Sequence, residues 1–108
     1  MNDTATAIPD NTFKVLIVDD SFLMRRIIRN IVENDPALNI VGEAEDGVVA
    51  LEKVSELSPD IVLLDIEMPN MDGIEFLRRS RLVTSAKIII ISSVARLDSH
   101  EAREALAL

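Results

Sequence analysis

Two short aliphatic runs in this chain each end on aspartate. Val15-Leu16-Ile17-Val18 runs into Asp19-Asp20, and Ile61-Val62-Leu63-Leu64 runs into Asp65. Continuous apolar runs of about four residues read as strands buried on both faces, the habit of parallel sheets. Carboxylates just past such strands lie at the carboxyl edge, where open α/β sheets bind ligands. Three acidic groups meeting there repel one another unless a cation joins them. A hard divalent ion with oxygen ligands resolves that repulsion, and Mg²⁺ suits a few carboxylates together with a phosphate. The first expectation is therefore a metal-assisted phosphate site.

The rest of the chain alternates strand and helix. Phe13–Val18 reads as the first strand, and Ser21 is placed to cap a helix behind it. Met24, Ile27, Ile28 and Ile31 recur at the spacing of one buried helical face, with Arg25, Arg26 and Arg29 on the opposite side. Asn34-Asp35-Pro36 breaks that helix. Leu38–Ala44 reads as a second strand and Asp46-Gly47 as a turn. Ala50, Val54 and Leu57 mark a second amphipathic helix, ended by Ser58-Pro59. Ile61–Leu64 is the third strand. Gly73 opens a third helix with Ile74 and Leu77 inward. Lys87–Ile91 is the fourth strand, and its four consecutive isoleucines imply burial on both faces. Leu97–Leu108 reads as a final helix. Such alternation predicts parallel strands joined by right-handed crossovers.

Composition narrows the function classes. At 108 residues a single domain is expected. Residues 1–12 are polar, carry Pro9 and read as a flexible N-terminal tail, which leaves 13–108 for the domain. Nineteen acidic residues against 11 basic give a net charge of -8, so the basic footprint of a nucleic-acid binder is missing. No cysteine is present, which excludes disulfides and thiolate metal sites. No apolar stretch is long enough for a membrane span. The expected location is cytoplasmic.

The segments VLIVDDS, DIVLLDIEMPNMDGIEFL and IIIISS, in that order, resemble the receiver domain of two-component response regulators. Among receivers the resemblance is strongest to the chemotaxis type, in particular the receiver part of methylesterase response regulators. It implies a flavodoxin-like doubly wound parallel sheet of order 2-1-3-4. It also implies a phosphoryl group taken from a histidine kinase or phosphotransfer protein, with Mg²⁺ as cofactor. By the same resemblance Asp65 is the phosphoacceptor. Asp19, Asp20, Asp65 and the backbone carbonyl of Glu67 hold the metal, and Ser92 hydrogen-bonds the phosphoryl group. Such a chain turns over no separate substrate and catalyses at most its own aspartyl phosphorylation. A bland reading exists for each piece: an acidic pair caps a helix, a serine ends a strand, and Arg78, Arg79 and Arg81 form a solvated helix face.

The pattern also departs from the family. Receivers have a fifth strand and helix, with a lysine at the end of that strand contacting the phosphoryl group. This chain ends at Leu108, before that position, and its lysines are Lys14, Lys53 and Lys87. Losing one preorganised cationic donor costs about 3 kcal/mol of transition-state stabilisation. An order of 2-1-3-4 leaves the isoleucine strand at the sheet edge, which invites pairing with another chain. A homodimer through that strand or through swapped elements is expected. The alternative function is a non-switching receiver that acts as a dimerisation or partner-sequestering module.

Overall fold

A computed structural model describes residues 12–66 and 73–91. Four strands and three helices alternate: β1 (Phe13–Val18), α1 (Phe22–Val32), β2 (Leu38–Ala44), α2 (Gly47–Leu57), β3 (Ile61–Leu64), α3 (Gly73–Ser80) and β4 (Lys87–Ile90). The strands form one sheet of order β2-β1-β3-β4, and each neighbouring pair is parallel. This is the doubly wound α/β arrangement that the sequence resemblance implies. The chain reverses its direction of travel between β1 and β3: α1 leads to β2 on one side, and α2 carries the chain back past β1 to β3. In such sheets a crevice opens at that switch point, beyond the strand ends.

Alternation along each strand sorts side chains to the two faces. Leu16, Val18, Val62 and Leu64 meet Ala50 and Val54 of α2 and Ile74, Phe76 and Leu77 of α3 on one face. Val15 and Ile17 meet Ile28 and Val32 of α1 on the other. The first face thus carries two helices and the second carries one, among the described residues. Phe76 is fully buried and is the largest side chain of the core.

Local chemistry fixes where the helices start and stop. Ser21 Oγ accepts a hydrogen bond from the Met24 amide (3.1 Å), satisfying a donor that the first turn of α1 leaves open. Asp46 does the same for α2, accepting from the Val49 amide at 2.9 Å. The sequence reads Asp46-Gly47 only as a turn; the structure makes Asp46 a helix cap. Ser58, in the left-handed region at φ 47°, closes α2, and Pro59 prevents its continuation.

Two expectations about packing are corrected. The apolar repeat of α1 does not lie inward as a whole. Ile28 is buried, but Met24, Ile27 and Ile31 are 41%, 44% and 66% exposed. The buried positions are Ile28 and Val32, because a single helix crossing the sheet inserts only the narrow side that faces β1. Arg25 and Arg29 are not on a solvated opposite side either; both reach β2. The isoleucines of β4 are likewise not buried on both faces: Ile89 is 50% exposed, and Ile88 and Ile90 are half-buried. β4 has β3 on one side and no described strand on the other. The second helix matches its expected face more closely, with Ala50 and Val54 buried and Leu57 half-buried. The expected tail up to residue 11, the loop 67–72 and the final helix lie outside the described residues.

Candidate metal centre

The ladders around β1 put its last residue level with the ends of both neighbours. Val18 stands opposite Ala44 of β2 and Leu64 of β3. One residue on, the Asp19 amide donates to the Ala44 carbonyl (3.0 Å) and the Asp65 amide donates to the Val18 carbonyl (2.9 Å). These two bonds extend the sheet past its strands and fix the backbone of both aspartates. Their side chains leave the carboxyl edge together. Asp19, Asp20 and Asp65 each offer one carboxylate oxygen, and these oxygens all lie within 4.8 Å of one another. Asp19 is buried, Asp65 half-buried and Asp20 exposed, so the cluster is open on the Asp20 side.

The donor set suits a hard divalent cation. Mg²⁺ binds oxygens at about 2.0–2.1 Å, so opposite ligands of one ion stand about 4 Å apart. The three oxygens approach that spacing without a rearranged backbone. Three carboxylates together exceed the charge of one such ion, so a bound ion would relieve their mutual repulsion. Burial raises the pKa of Asp19 above the usual carboxylate range, and the neighbouring Asp20 charge adds to that effect. The Ser21 amide, donating to Asp19 Oδ1 at 2.9 Å, and the Arg25 charge act the other way without cancelling it.

Gly73 closes the site from behind. Its amide donates to the Ile66 carbonyl at 3.1 Å. A Cβ at this position would stand 2.3 Å from Ile66 Cα and 2.9 Å from the Asp65 carbonyl oxygen. Any side chain here pushes against the backbone that carries Asp65. Glycine is required at this point by space, a role that the sequence reading of Gly73 as a helix opener missed.

A second feature escaped the sequence reading. Arg25 donates through Nη1 to the Asp19 carbonyl oxygen and through Nε to Glu43 Oε1 (2.9 Å). Arg29 holds the other oxygen of the same carboxylate, at 2.8 Å from Nε and 2.6 Å from Nη2. Burial alone would raise the Glu43 pKa, but the two guanidinium partners outweigh it and hold the group below its ordinary value. The arginine spacing of four residues is legible in the sequence; that both meet one carboxylate on β2 is not.

The sequence candidates therefore divide. Asp19, Asp20 and Asp65 are brought together; Glu67 and Ser92 lie outside the described residues. Lys14 sits at the opposite edge of the sheet, where its Nζ reaches the Leu57 carbonyl, and Lys87 opens β4 at that same edge. No helix among the described residues is long and apolar enough to cross a membrane.

A parallel sheet with carboxylates from two strands gathered at its switch point defines a class: open α/β domains with their ligand site at the carboxyl edge. Within that class, residues 15–108 match the model of the response regulator receiver domain, and the chain belongs to that family. It is similar to a protein-glutamate methylesterase/protein-glutamine glutaminase of Koribacter versatilis (strain Ellin345), 44% identical over 88% of this chain. The alignment covers 26% of that relative, so the chain spans about a quarter of its length. Among solved structures it resembles the response regulator domain of Thermotoga maritima CheB. That likeness has a TM-score of 0.81 and 40% identity, covering 89% of this chain and 72% of the other. It also resembles a chain of the CheX-CheY-BeF3-Mg+2 complex of Borrelia burgdorferi, with a TM-score of 0.77 and 34% identity. Coverage there is 97% of this chain and 76% of the other. The chain is thus a receiver domain of the chemotaxis type.

Proposed function

We propose that this receiver accepts a phosphoryl group on Asp65, with Mg²⁺ held by Asp19, Asp20 and Asp65. The convergence of those three carboxylates at the ends of β1 and β3 carries the reading. A carboxylate oxygen of Asp65 attacks the phosphorus of a phosphohistidine on a kinase or phosphotransfer partner. The N–P bond breaks, an acyl phosphate forms, and the electron pair leaves with the imidazole. Mg²⁺ supplies charge neutralisation for the transferring oxygens. The backbone carbonyl of Glu67 completes the protein ligands, and the Ser92 hydroxyl binds the incoming phosphoryl oxygens. Among the described residues the cluster is open on the Asp20 side, the side from which an anionic donor would approach. The likeness to a chain of the Borrelia burgdorferi complex, whose components include Mg+2 and BeF3, supports the choice of ion and the phosphoryl chemistry.

The partner docks on the outer face of α1. Leu23, Met24, Ile27 and Ile31 form an apolar stripe, exposed among the described residues, that begins just beyond Asp20. A patch of this kind marks an interaction surface. The setting is cytoplasmic, where such kinases present their phosphohistidine. The alternative of a non-switching sequestering module is not favoured by the family match. Association through β4 is a separate reading, favoured by the half-exposed Ile89 on an edge strand. Light scattering across a concentration series tests it, and an unchanging monomer mass contradicts it.

The phosphoacceptor reading is tested with a small acyl-phosphate donor and Mg²⁺, followed by intact-mass analysis. One phosphoryl group is expected on the wild-type chain and none on Asp65→Asn. Equal labelling of both would place the chemistry elsewhere.

A further inference from the structure

The acidic cluster has a guanidinium next to it that is directed away from the carboxylates, and the structure shows what directs it. Arg25 bonds the backbone carbonyl of Asp19, one residue's reach from the Asp19 and Asp20 side chains. Left to itself, a cation in that position collapses onto the carboxylates and competes with a metal for them. Two groups hold it back. Glu43 takes its Nε at 2.9 Å, and the Phe22 ring lies over it with its centroid 5.8 Å from the guanidinium carbon. Arg29 in turn fixes Glu43 by holding its second oxygen. The Arg25 side chain is 13% exposed and that of Glu43 25%, so the pair is largely out of bulk water.

We infer that Glu43 is a positioning residue for the cation site: it anchors Arg25 on the Asp19 backbone carbonyl and so keeps the Asp19 and Asp20 carboxylates available to a divalent ion. The inference rests on the reading of Asp19, Asp20 and Asp65 as a cation site. Glu43 also cancels one of the two positive charges that α1 brings to this end of the sheet. Without it, Arg25 loses its carboxylate partner while Arg29 keeps Glu33, so the positive charge beside the site rises and opposes a second cation. The function of the clamp is therefore electrostatic selection of where a guanidinium points. That role differs from stabilising the fold, and it makes an opposite prediction for a second substitution.

The test is a Mn²⁺ titration followed by the paramagnetic resonance signal of the free ion, on the full chain and four variants. The wild type binds with a measurable affinity. Glu43→Ala releases Arg25 and is expected to weaken Mn²⁺ binding about threefold or more, the effect of one nearby charge in a partly solvated site. Arg25→Met is expected to bind at least as tightly as the wild type, because the competitor is gone. The double variant Glu43→Ala/Arg25→Met is expected to recover wild-type affinity or better. Arg29→Met frees the second Glu43 oxygen but leaves the Arg25–Glu43 contact in place, and it is expected to weaken binding less than Glu43→Ala does. A double variant as weak as Glu43→Ala, or an Arg29→Met variant equally weak, shows a loosened fold and overturns the inference. Unchanged affinity in Glu43→Ala overturns it as well. A wild-type chain that takes up no Mn²⁺ overturns both the inference and the cation site beneath it.

Discussion

Asp19 carries most of the cost of the acidic cluster. It is the buried member, and burial pushes its pKa up, with the Asp20 charge adding to the shift. The sign of the resulting pH dependence follows from linkage. The folded chain holds the Asp19 proton more tightly than the unfolded chain does. Stability contributed by this group is therefore highest at acid pH and falls as pH rises through the ordinary aspartate range to the raised value. In the metal-free protein the cost therefore grows from acid towards neutral pH. Asp19→Asn keeps an oxygen for the Ser21 amide but removes the charge. It is expected to raise the melting temperature of the metal-free chain at pH 7 and to leave it unchanged at strongly acid pH. Calorimetry at the two pH values checks this; an equal shift at both would assign the effect to packing. Gly73 matters for a different reason. A methyl group there meets Ile66 Cα at 2.3 Å. Gly73→Ala is expected to cost about 1–3 kcal/mol in chemical denaturation, in line with overpacked sites. It also weakens divalent-ion binding, because the strain falls on the backbone of Asp65. Native stability with lost ion binding, or the reverse, would separate the two roles that this residue combines.

At the scale of elements, what could be read in advance follows from what periodicity encodes. The uninterrupted aliphatic runs Val15–Val18 and Ile61–Leu64 mark β1 and β3, whereas β2 is half-buried up to Ala44 and carries Asn39, Gly42 and Glu43. The first capping serine was equally visible, because Ser21 stands directly before a helical repeat. The face of α1 was not. A repeat of apolar residues shows which side chains share a side of the helix, but not whether another element covers that side. Among the described residues α1 alone lies on the face of Val15 and Ile17, and Ile28 is buried while Ile31 is 66% exposed. Ile28→Ala is therefore expected to destabilise the chain by roughly 2–5 kcal/mol and Ile31→Ala by less than about 0.5 kcal/mol. Urea titration of both variants measures this, and similar losses would mean that the outer face is covered. Phe76 was missed for a related reason: α3 buries Ile74, Phe76, Leu77 and Ser80, a wider arc than its simple i, i+3 pattern suggests. The Arg25–Glu43–Arg29 clamp was invisible because its parts belong to different elements and no local spacing joins them. The carboxylate cluster, also spread over two elements, was legible because each part is tied to a strand end, and strand ends meet by construction in a parallel sheet.

The whole molecule concentrates its chemistry at one edge. Every neighbouring strand pair is parallel, so all carboxyl ends face the same way, and the switch between β1 and β3 leaves room there. The acidic excess of the chain, at a net charge of -8, makes a cation at that edge more useful still, since any phosphorylated donor arrives as an anion. The match over residues 15–108 establishes the family, and the particular arrangement of Asp19, Asp20 and Asp65 is what the account relies on. The most direct measurement is a calorimetric Mg²⁺ titration of the wild-type chain at neutral pH beside Asp20→Asn and Asp65→Asn. One ion per chain is expected for the wild type, with affinity reduced at least tenfold in each variant, as when a metal loses a charged ligand or its close support. A wild-type chain indifferent to Mg²⁺, or variants that bind it undiminished, would contradict the account at its root.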